Sequence, residues 1–229
     1  MNSKVNRYFC FLSRIICTNM SDAEKRGVLI ALEGCDRVGK TTQCKKIVEF
    51  LMNSGRKAKF INFPDRSTQC GALINSYLTN KDNFTDEMIH LLFTLNRWEA
   101  KTQMENLLRS GTSLIVDRYS YSGVAFSSAK GLDIGWCKTP EAGLLKPDLV
   151  ILLTLSAEAM GKRGGFGNER YEVPELQKKV EEKFHALKDD SYWKVVDADR
   201  PEDDLTAELS KIVLNTIDSC EGKTLSVLW

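Results

Sequence analysis

The stretch Gly34–Thr41, GCDRVGKT, decides how this chain folds. It matches the pattern G-x-x-x-x-G-K-S/T, a loop whose backbone amides turn inward on phosphate oxygens. The flanks fit that loop, because an apolar run, Val28–Leu32, precedes it and a segment of helical character, 39–52, follows it. Strand, glycine-rich loop and helix N-terminus together form a phosphate-binding site. The sequence therefore predicts nucleoside-triphosphate binding, with Lys40 on the β and γ phosphates and Thr41 on Mg²⁺.

Beyond this loop, apolar runs alternate with helical segments, which is the pattern of an α/β fold with a mainly parallel sheet. The sequence predicts strands at 28–32, 57–63, 112–116, 148–155 and 194–196, and helices at 39–52, 71–78, 86–110, 123–130, 156–161, 174–188 and 203–220. Ligands bind such sheets at the carboxyl ends of the strands. We therefore expect the loops after the first three strands to form one cleft.

The composition is that of an ordinary globular protein. The chain has 229 residues, is 42% hydrophobic and 28% charged, and carries a net charge of +1, so no global field attracts nucleic acid or an anionic membrane. No stretch reaches the roughly 18 apolar residues that a membrane span requires. Seven cysteines without a C-x-x-C pair, and only two histidines, argue against a disulfide framework or a zinc site and favour a reducing compartment.

Residues 1–24 differ from the rest of the chain, because basic and apolar residues are interspersed there and no acid precedes Asp22. That profile is typical of a mitochondrial transit segment. A disordered extension and translation from Met20 are the alternatives. We expect the folded domain to span 25–229. We expect it to be cytoplasmic or nuclear, or mitochondrial if the first twenty or so residues direct import.

The longest predicted helix, 86–110, carries the first side chains that point to a second ligand. Phe93 and Arg97, four residues apart, lie on one side of it. The helix is so apolar that we expect it to be buried on most sides, and Arg97 then needs an anionic or polar partner. The sequence leaves open whether that partner is a structural carboxylate or a ligand.

Two further segments place charge near the phosphate loop. Asp117 ends a buried strand, where P-loop enzymes keep a second group that organises Mg²⁺. The stretch 162–172, KRGGFGNERYE, has three glycines, three cations and almost no aliphatic residue. It indicates a mobile surface lid near the phosphates, and a plain exposed turn is the alternative.

Arginines are more numerous around this cleft than one nucleotide requires. The candidates are Arg37, Arg66, Arg97, Arg118, Arg163 and Arg170. Because guanidinium groups suit bidentate capture of phosphate, we expect a second substrate that carries a phosphate. No serine, cysteine or histidine stands beside a base, which fits phosphoryl transfer by positioning and charge stabilisation. A nucleotide-binding regulator without catalysis is the non-enzymatic alternative, and the intact phosphate-loop residues argue against it.

Several ordered motifs, at matching spacing, resemble the thymidylate kinase family in its eukaryotic and poxviral form. They are Gly34–Arg37 with Gly39–Gln43, Phe63–Thr68, Leu91–Phe93 with Asn96–Glu99, Val116–Tyr119 with Ser122–Phe126, Lys146–Leu149, Glu169–Glu172 and Val196–Ala198. The resemblance covers about 27–229. It is far more specific than the phosphate loop alone. Asp65, where the family often has glutamate, is one of a few small departures.

The resemblance implies phosphate transfer from ATP to dTMP, giving dTDP, by a homodimer with a P-loop NTPase fold and a five-stranded parallel sheet flanked by helices. It implies neither nucleic acid nor a membrane as partner. In this scheme Arg66 and Arg118 grip the dTMP phosphate. The other implied dTMP contacts are Asp36 on the 3′-hydroxyl, Phe93 stacked on thymine, Arg97 on its carbonyl edge, Tyr171 against the sugar 2′ position, and Phe63, Ser122 and Gly123 on the pocket wall.

On the ATP side the resemblance implies contacts from Gly34, Arg37, Val38, Gly39, Lys40, Thr41, Thr42, Arg163 and Ala198. Arg37 is expected to act as an arginine finger in cis, with Lys40 and Asp117 as the other catalytic residues. Thr41, and Asp117 through water, are expected to hold Mg²⁺. The alternatives within this fold are kinases for a deoxynucleoside, for UMP or CMP, or for several monophosphates. The paired Arg66 and Arg118 argue for an acceptor that is already anionic.

Overall fold

The computed structural model of the chain describes residues 26–156, 159 and 169–229. The predicted extension 1–24, Arg163 and most of the predicted lid lie outside the described residues. Five parallel strands form one sheet in the order β2-β3-β1-β4-β5. They are β1 (Leu29–Glu33), β2 (Ala58–Asn62), β3 (Ser113–Asp117), β4 (Leu149–Thr154) and β5 (Trp193–Asp197). The predicted α/β fold with a five-stranded parallel sheet is confirmed.

Helices cover both faces of this sheet, as the continuously apolar strands require. Those within the described residues are α1 (Lys40–Asn53), α2 (Gln69–Leu78), α3 (Asp86–Arg109), α4 (Ser120–Ala129), α5 (Ile134–Lys138), α6 (Pro174–Leu187) and α7 (Glu202–Ser219). Every residue of β1 and β3 is buried. Most helix boundaries agree with prediction to within three residues. The predicted helix 156–161 lies almost entirely outside the described residues.

The segment between α4 and β4 holds structure that the sequence did not predict. It contains α5, whose first turn is capped by the Asp133 side chain accepting from the Trp136 amide at 2.7 Å. A 3₁₀ turn, Thr139–Glu141, follows directly. A helix of five residues gives too short a pattern for helical periodicity to be recognised. This segment matters for the site because it delivers Glu141 beneath α3.

The strand order brings the predicted site segments to one edge of the sheet. β1 lies between β3 and β4, and Leu32 of β1 pairs with Asp117 at the end of β3. β2 pairs with β3 on its other side, with Asn62 opposite Asp117. The loops after these three strands therefore leave the sheet side by side, at the carboxyl ends where such folds bind ligands.

One face of α3 departs from the expected burial. The exposed fractions of Met88, Leu91, Leu95 and Trp98 are 44%, 46%, 50% and 36%, respectively. The expectation that this helix is buried on most sides is wrong for this exposed α3 face. The side chains of Ile89, Thr94 and Arg97 on the other sides are buried. Within residues 26–156 and 169–229, no helix is long and apolar enough to cross a membrane.

Candidate active site

The phosphate loop between β1 and α1 depends on glycine at its first position. Gly34 has φ +139°, and a Cβ there would lie 2.4 Å from the carbonyl oxygen of Leu153. Any other residue would collide with the neighbouring strand and adopt a strained backbone. The loop ends at Gly39, with φ +96°, which precedes the first residue of α1. Lys40 then folds back, and its Nζ donates to the carbonyl oxygen of Cys35 at 2.6 Å.

Lys40 is buried, with a side chain that has lost most of its water. Burial lowers the pKa of Lys40 to about 8, and repulsion by Arg118 adds to the effect. Asp36 and Asp117 oppose the shift. A phosphate group beside Lys40 would add negative charge that favours the ammonium form, so this position favours a polyanionic ligand.

Thr41 and Asp117 form a pair suited to a hard cation. The Thr41 hydroxyl donates to Asp117 Oδ2 in a short hydrogen bond. Asp117 Oδ1 is buried and has no hydrogen-bond partner among the described residues. Mg²⁺ prefers oxygen ligands of this kind and usually keeps several waters. The two residues predicted to hold Mg²⁺ thus lie together, and one carboxylate oxygen there has no partner in the part of the chain that the structure describes.

A first cavity, which we call the P-loop cavity, opens above the phosphate loop. It is lined by Arg37, Val38, Gly39, Lys40, Thr41, Thr42, Gln43, Ala198, Arg200, Glu202 and Leu205, together with Asp36, Asp117, Arg118 and Glu172. All the predicted ATP contacts within the described residues line it, except Gly34. Gly34 lies beneath, where its carbonyl oxygen accepts from Arg118 Nη1 at 3.1 Å.

A second cavity, which we call the aromatic cavity, has a volume of about 240 Å³ and lies between α3, α4 and the loop after β2. It is lined by every residue predicted to contact dTMP, namely Asp36, Phe63, Arg66, Phe93, Arg97, Arg118, Ser122, Gly123 and Tyr171. Phe126, Ser127 and Glu169 are among the lining residues that were not predicted. These residues are distant from one another in the sequence. The family resemblance, and not any one motif, predicted that they lie together.

The floor of the aromatic cavity is built from rings. The Tyr171 ring lies 5.5 Å from Phe126 and 6.4 Å from Phe93, measured between centroids. Lys130 Nζ donates to the Tyr171 hydroxyl at 3.1 Å. Arg118 lies over the Phe126 ring at 5.2 Å. Flat apolar walls with a cation at one end suit a planar base linked to an anionic group.

Each arginine that lines the aromatic cavity is held by a carboxylate. Arg118 pairs with Asp36, Arg66 pairs with Glu169 at 2.7 Å, and Arg97 pairs with Glu141. The partner of Arg97, which the sequence left open, is therefore a structural carboxylate. Arg37, at the rim of the P-loop cavity, contacts Glu172 at 3.0 Å.

The pair of Asp36 and Arg118 is supported by a third side chain. Asp36 accepts from Arg118 with Oδ1 and from Gln177 Nε2, at 2.6 Å, with Oδ2. Burial would raise the pKa of Asp36, but the charges of Arg118 and Lys40 outweigh it and hold that pKa below its usual value. Arg37 and Arg118 both have φ +64°, a sparsely populated conformation that tends to persist only at sites where the surroundings fix it.

Arg170 was counted among the cations near the cleft, and that expectation is wrong. Its Nε donates to the carbonyl oxygen of Tyr77 at 2.9 Å, and its Nη2 donates to Asp82 and Asn83. Its guanidinium also lies 4.1 Å from the centre of the Tyr77 ring. Arg170 therefore connects the end of the predicted lid to the end of α2 and to the segment between α2 and α3, and it lines neither cavity.

Two buried polar residues support the site and were not found from the sequence. Glu33, fully buried at the end of β1, accepts from the amides of Tyr119 and Ser122 and from the Ser122 hydroxyl. Gln177 on α6 donates to Asp36 and accepts from its amide at 2.9 Å. A signal for Gln177 was available, because it lies on the apolar face of α6 with Val180 and Phe184, where a polar residue needs partners.

The two cavities meet at four shared residues, Asp36, Asp117, Arg118 and Glu172. A ligand phosphate in one cavity would therefore lie beside a ligand phosphate in the other. Cationic groups from both sides, Lys40 and Arg118, face this junction. The arrangement can align two phosphate groups and neutralise the charge that develops between them.

Comparison with known proteins gives the following matches. A family model described as thymidylate kinase matches residues 32–209. A thymidylate kinase from Arabidopsis thaliana is 52% identical over 210 residues, which cover 91% of this chain and 80% of that protein. One from Danio rerio is 46% identical over 208 residues, 90% of this chain and 98% of that protein. A thymidylate kinase structure from Candida albicans has a TM-score of 0.81 at 39% identity and covers 89% of this chain and 99% of that one.

Proposed function

Because this chain belongs to the thymidylate kinase family, and therefore phosphorylates dTMP to dTDP with ATP, we propose that its two cavities bind the two substrates. The aromatic cavity takes dTMP and the P-loop cavity takes the phosphates of ATP. The observation that carries the proposal is the junction of the cavities at Asp117 and Arg118, where a donor phosphate and an acceptor phosphate would lie side by side. The acceptor oxygen is already ionised, so transfer needs no general base.

The proposed roles on the dTMP side combine the family resemblance with the position of each side chain in the aromatic cavity. Phe93 stacks on thymine, and Arg97, held by Glu141, donates to a base carbonyl. Arg66 and Arg118 bind the phosphate, which competes with the carboxylates of Glu169 and Asp36 for these guanidinium groups. Tyr171 lies against the sugar and excludes a 2′-hydroxyl.

The roles on the ATP side rest on the phosphate loop. Lys40 contacts the β and γ phosphates, and Arg37 stabilises the charge on the transferred phosphoryl group. Thr41 and Asp117 would hold Mg²⁺, Asp117 through water, and Asp117 Oδ1 is the oxygen left for that purpose. When bound, Mg²⁺ supplies charge neutralisation at the phosphates.

The direct test is ADP release from ATP and Mg²⁺ with a panel of acceptors: thymidine, dTMP, dUMP, UMP, CMP and AMP. We expect strong turnover with dTMP, weaker turnover with dUMP and little with the others. Turnover with thymidine but not with dTMP would overturn the assignment of Arg66 and Arg118 to the acceptor phosphate. Equal turnover with CMP would overturn the assignment of Arg97 to a carbonyl of the base.

We also propose that the protein is a homodimer, joined through the exposed α3 face of Met88, Leu91, Leu95 and Trp98. These residues recur at helical spacing and form one apolar stripe, and Leu73 on α2, 44% exposed, adds a further apolar residue to the exposed surface. A second copy with the same stripe is a partner of matching chemistry, because two-fold interfaces are self-complementary. Sedimentation should give a dimer for the natural chain and a monomer for Leu91→Glu. Met52→Glu, an exposed apolar position on α1, is the matched control and should remain dimeric.

Residues 25–229 are proposed to form the catalytic domain, and residues 1–24 to decide where the protein goes in the cell. The test is a fluorescent protein fused behind residues 1–24, compared with one fused to the domain without them. Mitochondrial fluorescence that depends on residues 1–24 would assign the protein to that organelle. Diffuse fluorescence from both fusions would assign it to the cytoplasm and nucleus.

A further inference from the structure

Glu141 is a fully buried carboxylate that lines neither cavity, yet it is bound to a residue of the site. It ends the 3₁₀ turn after α5, and its exposed fraction is 0%. Its Oε2 accepts from Arg97 Nε at 2.9 Å. Its Oε1 accepts from Arg97 Nη2 and, at 2.7 Å, from the Thr94 hydroxyl. Both carboxylate oxygens therefore bind side chains of α3.

The opposite side of this ion pair is closed by a glycine. A Cβ on Gly123 of α4 would lie 2.5 Å from Arg97 Nη2 and 3.3 Å from Glu141 Oε1. The backbone of α4 can approach the guanidinium only because Gly123 has no side chain. Gly123 thus lines the aromatic cavity and also leaves room for Arg97 beside it.

These contacts use two of the three guanidinium nitrogens of Arg97. Its Nη1 has no hydrogen-bond partner among the described residues, and Arg97 lines the aromatic cavity. A guanidinium group can donate hydrogen bonds and cannot accept them. A bidentate carboxylate also fixes the plane of the group and so the direction in which Nη1 donates.

We propose that Glu141 is a positioning residue that fixes Arg97 as a donor and thereby sets the preference for a base with a carbonyl group over one with an amino group. The inference rests on the proposed binding of dTMP in the aromatic cavity. Thymine presents a carbonyl where cytosine presents an amino group. A fixed donor facing an amino group leaves two donors opposed and unpaired, which is how a buried polar contact rejects the wrong substrate.

The test compares dTMP with dCMP as acceptors for the natural enzyme and for Glu141→Gln. Glutamine keeps the size of the side chain but turns an NH₂ group toward Arg97, so the guanidinium must shift. We expect KM for dTMP to rise and the ratio of kcat/KM for dTMP over dCMP to fall by about tenfold, because a misplaced polar contact forfeits much of its selectivity. KM for ATP should stay unchanged. Glu105→Gln, which changes a partly exposed carboxylate of α3 that pairs with Arg109, is the control and should leave the ratio unchanged.

A merely structural role for Glu141 predicts a different result. In that case Glu141→Gln would lower the melting temperature, or would lower kcat/KM for dTMP and for dCMP equally. The ratio of the two kcat/KM values would be preserved, and a preserved ratio would overturn the proposal. Should Glu141→Gln fail to fold, Glu141→Asp decides the question, because it keeps the buried charge but draws the guanidinium back. It should lower the ratio less than Gln but in the same direction, and an unchanged ratio would again reject the inference. A natural enzyme without turnover on dTMP would instead contradict the proposed function.

Discussion

The two cavities obtain their positive charge in different ways. The P-loop cavity takes more than half of its lining residues from the consecutive stretch 36–43, and its buried cation, Lys40, donates to a backbone carbonyl. The aromatic cavity takes its arginines from α3 and from the loops after β2 and β3. There the guanidinium groups are oriented by carboxylates that are remote in the sequence. A phosphate loop presents adjacent backbone groups whose directions the loop itself fixes. A site formed by long side chains from distant elements needs further residues, here carboxylates, to hold those side chains in place.

The separation between partners makes this difference concrete. Arg97 and Glu141 are 44 residues apart, Arg118 and Asp36 are 82 apart, and Arg66 and Glu169 are 103 apart. The pairs also differ in burial: the Arg97 and Glu141 side chains are 2% and 0% exposed, while those of Arg66 and Glu169 are 40% and 34% exposed. This difference fits the proposed roles: a base contact needs a fixed donor such as Arg97, whereas a phosphate ligand could replace the partly exposed carboxylate beside Arg66 at little cost.

Arg37→Ala tests whether Arg37 acts on the phosphoryl group that would pass between the two cavities. Arg37 belongs to the phosphate loop and contacts Glu172, which lines both cavities. If it stabilises the transferred phosphoryl group, kcat should fall by about 10³-fold while both KM values stay within a few-fold. Steady-state kinetics with dTMP and ATP varied separately measure this. Arg56→Ala, an exposed arginine of the turn after α1, serves as the control. Unchanged turnover would remove Arg37 from the reaction.

Asp117→Asn tests the metal position at the junction. Asparagine can keep the contact with Thr41 but loses the charge on the orphaned oxygen. We expect kcat to fall by about 10²-fold and the Mg²⁺ concentration for half-maximal rate to rise, as for residues that bind a metal through water. A Mg²⁺ titration of the rate at saturating nucleotide measures both. An unchanged Mg²⁺ requirement would assign Asp117 to the structure of the loop alone.

The fold and the P-loop cavity could be predicted from the sequence because their determinants are local. A continuous apolar run predicts a buried parallel strand, and G-x-x-x-x-G-K-T predicts the loop that follows β1. The side of α3 that carries Phe93 and Arg97 also followed from helical spacing. In each of these three cases the residues that form the pattern are close together in the sequence, within one strand, one loop or one turn of a helix.

The supports of the aromatic cavity could not be predicted in that way. Nothing in the stretch around Glu141 indicates a partner on α3, because a lone acid after a proline is normally a solvated turn residue. The same holds for Glu33, whose partners follow the neighbouring strand β3, more than 80 residues away in the sequence. The exposed α3 face was misjudged for a related reason. An apolar stripe predicts burial but does not say whether the chain itself or a second copy covers it.

Phe93→Ala tests whether the aromatic cavity binds dTMP and not ATP. If thymine stacks on Phe93, removing the ring takes that contact away, and one such stacking contact is worth about 1–3 kcal/mol. We therefore expect KM for dTMP to rise by about tenfold and KM for ATP to stay the same. Phe93 is partly buried and packs at the cavity edge, so the fold should survive, as a thermal melt would show. An equal rise in both KM values would remove Phe93 from the base pocket.

The smallest predicted effect is a pH dependence. It distinguishes the P-loop cavity, whose buried cation is a lysine, from the aromatic cavity, whose cations are arginines. Burial lowers the pKa of Lys40 to about 8 from an ordinary value of 10.5. Above pH 8 the empty folded enzyme therefore holds Lys40 largely neutral, while the unfolded chain still protonates it. The contribution of this group to the free energy of unfolding then rises with pH up to about 10.5, and Lys40→Met should abolish that rise.

The same difference between lysine and arginine should appear in the number of protons taken up when each nucleotide binds. The phosphates of ATP favour the charged form of Lys40, so at pH 8.5 ATP binding should take up a fraction of a proton and weaken as the pH rises further. Binding of dTMP to arginines, which stay protonated at this pH, should take up far less. Phosphate groups titrate near pH 6, so both nucleotides are fully ionised and contribute nothing themselves. Calorimetry in two buffers of different ionisation enthalpy measures the protons taken up. No proton uptake on ATP binding would mean that Lys40 is already charged in the empty site, and equal uptake for the two nucleotides would mean that the two cavities do not differ in this respect.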